Sequence, residues 1–280
     1  MTKIKKIIAG CMAAFSIFAG GISANAVEIG DSPSEAVINT GANPNQPVVV
    51  LEDRLEEIKN DDSMSEEEKQ RHIEKIEYLI EVRDSNSGIS TYTTSTYKSP
   101  YSSKILNVPY CKQKFDYWCG PATVEQTYKF LNRNNAPPQE SIASGLSVPE
   151  NGGCDTQPIL NYLNAGLGTS YEQFWLSSNG TLFDGSVKLI CESVNNGYPP
   201  ILWVKVLGTP GDGRKDINDT TKWPYHTKGH YLNISGYSKY GETIQMTDPW
   251  LGWVPGYEYD GGKYYVDSSV VYTVSNVVCV

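Results

Sequence analysis

Four residues in this chain have the types and spacing for thiol chemistry: Gln113, Cys119, His230 and Asp248. Cys119 lies in Tyr117-Trp118-Cys119-Gly120-Pro121-Ala122. The glycine and proline let the backbone turn into a helix, since the missing N–H of a proline is not needed in a first helical turn. Ala122, Val124, Tyr128 and Leu131 then recur at near-helical spacing, so one face can bury. A helix opening at Cys119 aims unpaired amides and the positive end of its dipole at the sulfur. An ordinary thiol has a pKa of about 8.5, and a helix N-terminus or a neighbouring imidazolium can lower it to about 3.5–7.5. That is a nucleophile's setting. The competing reading is a core cysteine that merely opens a helix, and the other three residues weigh against it.

Gln113, in Pro109-Tyr110-Cys111-Lys112-Gln113, stands just ahead of that helix. A thiolate attacking a carbonyl creates an oxyanion, which needs a fixed donor beside the nucleophile's own N–H. His230 lies in Gly229-His230-Tyr231-Leu232-Asn233-Ile234-Ser235-Gly236, where polar and apolar residues alternate as in a strand. Asp248 ends a second short strand, Thr243 to Thr247, ahead of Pro249. Joined by the turn Ser238-Lys239-Tyr240-Gly241, the two strands should pair antiparallel and bring His230 beside Asp248. A cysteine, an imidazole and a carboxylate that orients it form the set required for nucleophilic catalysis. The other two histidines read as solvated, His72 in a charged helical stretch and His226 in a polar loop. No zinc pattern emerges, because Pro224 and Gly229 disfavour a helix through His226 and His230 and Thr227 replaces the expected glutamate. No metal and no cofactor are expected.

These pieces carry a resemblance. Gln113 with Cys119-Gly120-Pro121-Ala122, Gly197-Tyr198-Pro199-Pro200-Ile201, Gly229-His230-Tyr231, Gly236-Tyr237 and Asp248-Pro249 make residues 105–250 similar to the papain-fold cysteine peptidases of family 39. The likeness is in the broad C39-like sense, typified by bacteriocin-leader-processing domains. The resemblance implies Cys119 as nucleophile, His230 as base, Asp248 as orienting residue and Gln113 in the oxyanion hole. Leader-processing members cut after a double glycine and are fused to a transporter, which this chain does not show. The broader group is the better comparison.

The compartment is read from the N-terminus. Lys3, Lys5 and Lys6 precede an apolar run from Ile7 to Ile22, followed by Ala24-Asn25-Ala26. This is the pattern of a secretory signal cleaved after Ala26, so a secreted, extracellular protein with no stable membrane span is expected. Cys111, Cys154, Cys191 and Cys279 are left beside Cys119 in the mature chain, either as two disulfides or as free thiols.

Residues 27–84 carry 16 acids against 6 Lys and Arg, a net charge of −10, whereas residues 85–280 carry 16 against 14, a net charge of −2. The acidity belongs to the front segment, and no basic cluster suggests nucleic acid. Residues 27–48, rich in Pro, Asn and Gly, read as extended and mobile. Two amphipathic helices follow, one lined by Leu51, Leu55 and Ile58, the other by Ile73, Ile76 and Ile80. Ser65 and Glu68 make a capping box for the second. This acidic, partly helical segment is a propeptide that shields the cleft or assists folding, a spacer, or a partner-binding hairpin. Residues 85–103 are a Ser/Thr/Tyr-rich linker in which a propeptide would be cut.

The catalytic domain spans residues 104–280. Helices are expected at 119–131, 157–163 and 185–195, a loop at Pro137-Pro138, a buried strand at 201–207 and a strand-rich half from Gly229 onward. Helices followed by antiparallel strands give an α+β class, consistent with a papain-like fold whose helical part carries the cysteine and whose sheet carries His and Asp. The polar loop 208–225 either overhangs the cleft or is a surface insertion, and Trp118, Trp250 and Trp253 are candidates to line it. The expected function is a secreted, monomeric thiol hydrolase, an endopeptidase acting on a peptide or protein substrate. A cell-wall amidase, an acyl transferase and an inactive peptide-binding module remain open on the same fold.

Overall fold

The computed structural model describes residues 37–38, 41–43, 45–85, 95–133, 135–150, 152–176, 183–206, 220–250 and 262–280. The expected signal peptide, Trp253, residues 86–94 of the linker and most of the loop 208–225 lie outside them.

The front segment forms a helical hairpin, α1 (Leu51–Lys59) and α2 (Glu66–Ser85). The capping box is made: Ser65 N–H donates to Glu68 Oε2 at 2.9 Å, and Glu68 N–H donates to Ser65 Oγ at 3.3 Å. The fully buried stripe of α2 is His72, Ile76, Leu79 and Val82, spaced by three and four as a helix face requires. Ile73 and Ile80 pack at its margin. His72 is thus not solvated. Its Nδ1 hydrogen-bonds Glu172 Oε1 at 2.7 Å, a partner 100 residues away.

The remaining elements are β1 (Val37–Ile38), β2 (Lys104–Ile105), α3 (Cys119–Leu131), α4 (Gln139–Gly145), α5 (Thr156–Leu167), β3 (Gln173–Trp175), α6 (Phe183–Asn195), β4 (Ile201–Val206), β5 (His226–Ser238), β6 (Thr243–Thr247), β7 (Lys263–Asp267), α7 (Ser268–Val274) and β8 (Ser275–Cys279). Eight strands make one sheet in the order β3-β8-β4-β5-β6-β7, with β1 and β2 paired to β5 outside that path. Every pairing is antiparallel except β1 with β5. The α+β class is therefore as the sequence implies, with a helix bearing the cysteine and an antiparallel sheet bearing His230. Pro137-Pro138 lies in a loop as expected, and Pro138 is the N-cap of the short helix α4 that follows, where a fixed φ suits a helix entrance.

The sheet separates two cores, and β4 and β5 divide between them by strand alternation. Ile201, Trp203 and Tyr231 pack with Val124 of α3 and with Ile159, Leu160 and Leu163 of α5. Leu202, Val204, Leu232 and Ile234 pack with Leu189 and Ile190 of α6 and with Ile76 and Leu79 of α2. The front hairpin is thus part of the domain's own core. His226 opens β5 and is buried, because the strand starts three residues earlier than the glycine at 229 suggests. Among the described residues, no helix is long and apolar enough to cross a membrane.

Candidate active site

Cys119 is the first residue of α3, Trp118 is its N-cap, and no side chain caps the helix. Pro121 has no N–H and the Ala122 N–H donates to Trp118 O at 3.1 Å, so the open amides of the first turn are those of Cys119 and Gly120. Phe115 and Tyr117 set their rings beside Trp118, with centroids at 4.6 and 6.4 Å in edge-on contact, and Trp118 N–H donates to Phe115 O at 3.1 Å. This aromatic turn fixes the entry to the helix.

His230 sits on β5 opposite Val204 of β4. One residue beyond the pair Asn233–Thr247, the chain of β6 reaches Asp248 on the strand face that His230 shares. The expected hairpin closes as required: His230 Nε2 lies 2.8 Å from Asp248 Oδ1. Cys119, His230 and Asp248 all have 0% exposure.

The carboxylate is held by more than the histidine. Asp248 Oδ1 also accepts the Trp250 N–H at 2.8 Å, and Oδ2 accepts the hydroxyls of Tyr225 and, at 2.9 Å, Tyr264. Burial opposes its charge, yet the His230 imidazole and these donors hold its pKa below the usual carboxylate range. Burial likewise opposes charge on His230. The Asp248 carboxylate outweighs it, with a further contribution from Cys119, and the imidazole is pushed up to about 9. Since Nε2 is committed to Asp248, Nδ1 is the nitrogen left for the thiol. Nδ1 has no hydrogen-bond partner among the described residues, which leaves it open to take one up.

Helix and strand are locked together one layer away. Asn233 Nδ2 donates to Thr123 O and to Gln126 Oε1, both at 3.0 Å, and Asn233 Oδ1 accepts from Thr127 Oγ1 at 3.0 Å. Thr123 Oγ1 donates to Tyr231 O at 3.0 Å. Sequence reasoning missed Asn233, Tyr225 and Tyr264. Asn233 carried a legible signal, a polar residue alternating with aliphatics on a buried strand.

Gln113 is buried in the loop before α3. Its N–H donates to Pro249 O at 3.2 Å, joining the cysteine's loop to the residue after Asp248. Its Nε2 donates to Phe115 O and Asp116 O, both at 2.9 Å, so the amide braces the turn into α3. Gln139 of α4 supports the same loop, donating to Lys112 O and accepting from Lys114 N, both at 3.0 Å. Trp118 and Trp250 are half-buried, and Trp250 packs on the sheet core.

Cys111, Cys154, Cys191 and Cys279 are free thiols. Burial pushes Cys191 up to about 12 and Cys154 and Cys279 further above the ordinary thiol range, so none of these three is poised as a nucleophile.

Among curated proteins, none matches the chain by sequence. Solved structures similar to it include a double glycine motif protease from an AMS/PCAT transporter in complex with its leader peptide. That likeness has 12% identity and a TM-score of 0.38, covering 63% of this chain and 92% of that one. Xylellain, a cysteine protease from Xylella fastidiosa, is similar at 9% identity and a TM-score of 0.41, covering 69% of this chain and 93% of that one. The sequence profile described as the Peptidase_C39 like family matches residues 105–272, a span that holds Gln113, Cys119, His230 and Asp248, and the chain belongs to that family.

Proposed function

We propose that this protein is a secreted endopeptidase that works through Cys119, His230 and Asp248. The observation that carries the reading is the His230–Asp248 contact of 2.8 Å, together with an imidazole whose other nitrogen is left to Cys119 and whose charged form is favoured up to about 9. The Cys119 thiolate attacks the scissile carbonyl carbon, and the π electrons of the C=O move onto oxygen. The Cys119 N–H, at the open end of α3, stabilises that oxyanion. Gln113 joins it by turning its amide from the Phe115 and Asp116 carbonyls. The His230 imidazolium gives its proton to the leaving amine, and the neutral ring then takes a proton from the water that cleaves the thioester. Asp248 holds the ring throughout. Secretion is supported by the lysine-flanked apolar run and by Ala24-Asn25-Ala26.

The test is to incubate the secreted protein, after any maturation it undergoes, with a mixed peptide library and with a cell-wall peptide digest, with Cys119→Ala alongside. Cleavage of internal peptide bonds in the library, lost in Cys119→Ala, is the expected result. Change confined to the wall digest would replace the endopeptidase by an amidase. Ligand binding without turnover would replace it by a binding module. Mass spectrometry of the secreted species tests export: an N-terminus at Val27 is expected, and a retained Met1 would reject it.

A further inference from the structure

A cavity of about 520 Å³ opens between α2, α6 and the turn after α5, and Cys119, His230, Asp248 and Gln113 are all absent from its lining. Small-molecule sites measure about 300–1,000 Å³, so the space is that of a ligand pocket. It shares Gly168, Thr169 and Tyr198 with a groove that touches Leu131, the last residue of α3. Cys119 is the first of the 13 residues of that helix, and a rise of about 1.5 Å each puts the pocket roughly 20 Å along it from the sulfur.

Its walls carry more positive charge than the fold neutralises. Arg71 and Lys75 reach it from α2 and Lys188 from α6, against one lining carboxylate, Glu192, in a chain whose net charge is −9. Glu192 Oε2 already accepts the Tyr78 hydroxyl. Arg71 gives Nη1 to the exposed Glu67 at 3.3 Å, while its Nε is buried and meets no acceptor among the described residues. Lys75 makes no hydrogen bond and no close ion pair among the described residues. Burial pulls its pKa below the ordinary lysine value, opposed by Glu192 and by Glu172, which His72 and Arg54 already hold. Lys188 Nζ stands over the Tyr78 ring, 5.4 Å from its centroid. Two more rings line the space, Tyr171 and Tyr198, in edge-on contact at 6.3 Å. Tyr198 is 45% exposed.

We propose that this cavity binds a small molecule with an acidic head, a carboxylate or a phosphate, among Arg71, Lys75 and Lys188, and an aromatic body against Tyr78, Tyr171 and Tyr198. A cation withdrawn from water without a counter-ion is unfavourable, and an anion placed beside it relieves that penalty. Guanidinium and ammonium donors suit the oxygens of either acid, and the tyrosine rings suit a flat, apolar partner. Because α2 and α6 both line the cavity, the ligand ties the front hairpin to the rest of the domain and stabilises both. The proposal is independent of the chemistry at Cys119.

The experiment titrates the full-length chain in a calorimeter with phenyl phosphate, with hippurate and with the neutral benzamide. At least one of the two anions should bind one to one with a Kd of about 1 mM or below and raise Tm. Which anion binds more tightly tells phosphate from carboxylate, and benzamide should bind about tenfold more weakly or not at all. Lys75→Met removes one charge-assisted contact and should weaken the anion about tenfold or more. That variant should melt no lower than the wild type, since it deletes a charge that burial opposes. Should it melt lower, Lys188→Met decides instead: binding about tenfold weaker supports the site, and unchanged affinity rejects it. No binding of either anion up to about 10 mM, benzamide bound as tightly as the anions, or full affinity in a well-folded Lys75→Met would each overturn the proposal.

Discussion

Asn233 on β5 donates its side-chain amide to the backbone carbonyl of Thr123 on α3 at 3.0 Å, one turn along from Cys119 and three residues from His230. Because Gln126 and Thr127 bind the same amide group, Asn233 sets the distance between the helix that carries the sulfur and the strand that carries the imidazole. Asn233→Leu removes all three contacts and takes the Asn233 donor from both Thr123 O and Gln126 Oε1, while the Thr127 hydroxyl keeps Thr123 O as acceptor at 3.0 Å. A loss of roughly 2–3 kcal/mol in chemical denaturation is expected from the hydrogen bonds and the stranded polar groups. A misplacement of about 1 Å lowers turnover by as much as 100-fold, so kcat should fall at least tenfold with KM little changed. Lost stability with kcat intact would make Asn233 a purely structural residue.

The same neighbourhood shows what the sequence makes legible. Helix α3 begins and ends at the residues its periodicity predicts, because glycine, proline and the apolar face are local signals. The β5–β6 hairpin and the His230–Asp248 contact follow from strand alternation and a short turn, and the Ser65–Glu68 box closes as its four-residue pattern requires. What escapes are relationships across long separations. His72 reads as solvated until Glu172 is brought to it, and nothing local marks Tyr225 and Tyr264, whose hydroxyls meet one carboxylate only in the fold. The burial of Ala42 depends on Cys154 and Gly229, far along the chain, so the composition of residues 27–48 points the other way.

The pH dependence follows from the signs of the two shifts. His230 is raised, so its protonated ring contributes stability in full below its ordinary value of about 6.5, and that contribution is lost as pH rises through about 9. Asp248 is lowered, so its contribution is present above the ordinary carboxylate range and is lost on acidification through its depressed value. Activity that needs the imidazolium should therefore have an alkaline limb near 9. In Asp248→Asn the partner that outweighs burial is gone. The limb should move toward neutrality, and kcat should fall by about 10²–10⁴, as when the orienting carboxylate of a triad becomes an amide. A pH–rate profile of both proteins checks this, and an unmoved limb would contradict the assignment.

Tyr264 gives a finer probe, because its hydroxyl reaches Asp248 Oδ2 at 2.9 Å without touching the histidine's oxygen. Tyr264→Phe keeps the ring and leaves Tyr225 as the donor to that oxygen. Hydrogen bonds to charged groups contribute about 1.5–3 kcal/mol, so stability near neutral pH should drop within that range. Since the lost donor favours the ionised carboxylate, the acid limb of the stability curve should move upward in pH. Thermal melts between acid and neutral pH measure both. Equal destabilisation at every pH would mean that the hydroxyl serves packing rather than the carboxylate's charge.

Glu172 decides whether the front hairpin behaves as a detachable spacer. It is buried between the hairpin and the sheet, hydrogen-bonded to His72 Nδ1 at 2.7 Å and paired with Arg54 Nε at 3.3 Å. Ile76 and Leu79 of α2 share a core with Leu232 and Ile234 of the histidine's strand. Breaking a buried polar pair by removing one partner costs roughly 3–5 kcal/mol, so His72→Leu should fall at the lower end of that range while Arg54 remains. The loss should appear as one cooperative transition at a lower Tm, with faster amide exchange in α2 and β5 together. A separate early transition confined to α1 and α2, with exchange in β5 unchanged, would instead mark the hairpin as an independent attachment.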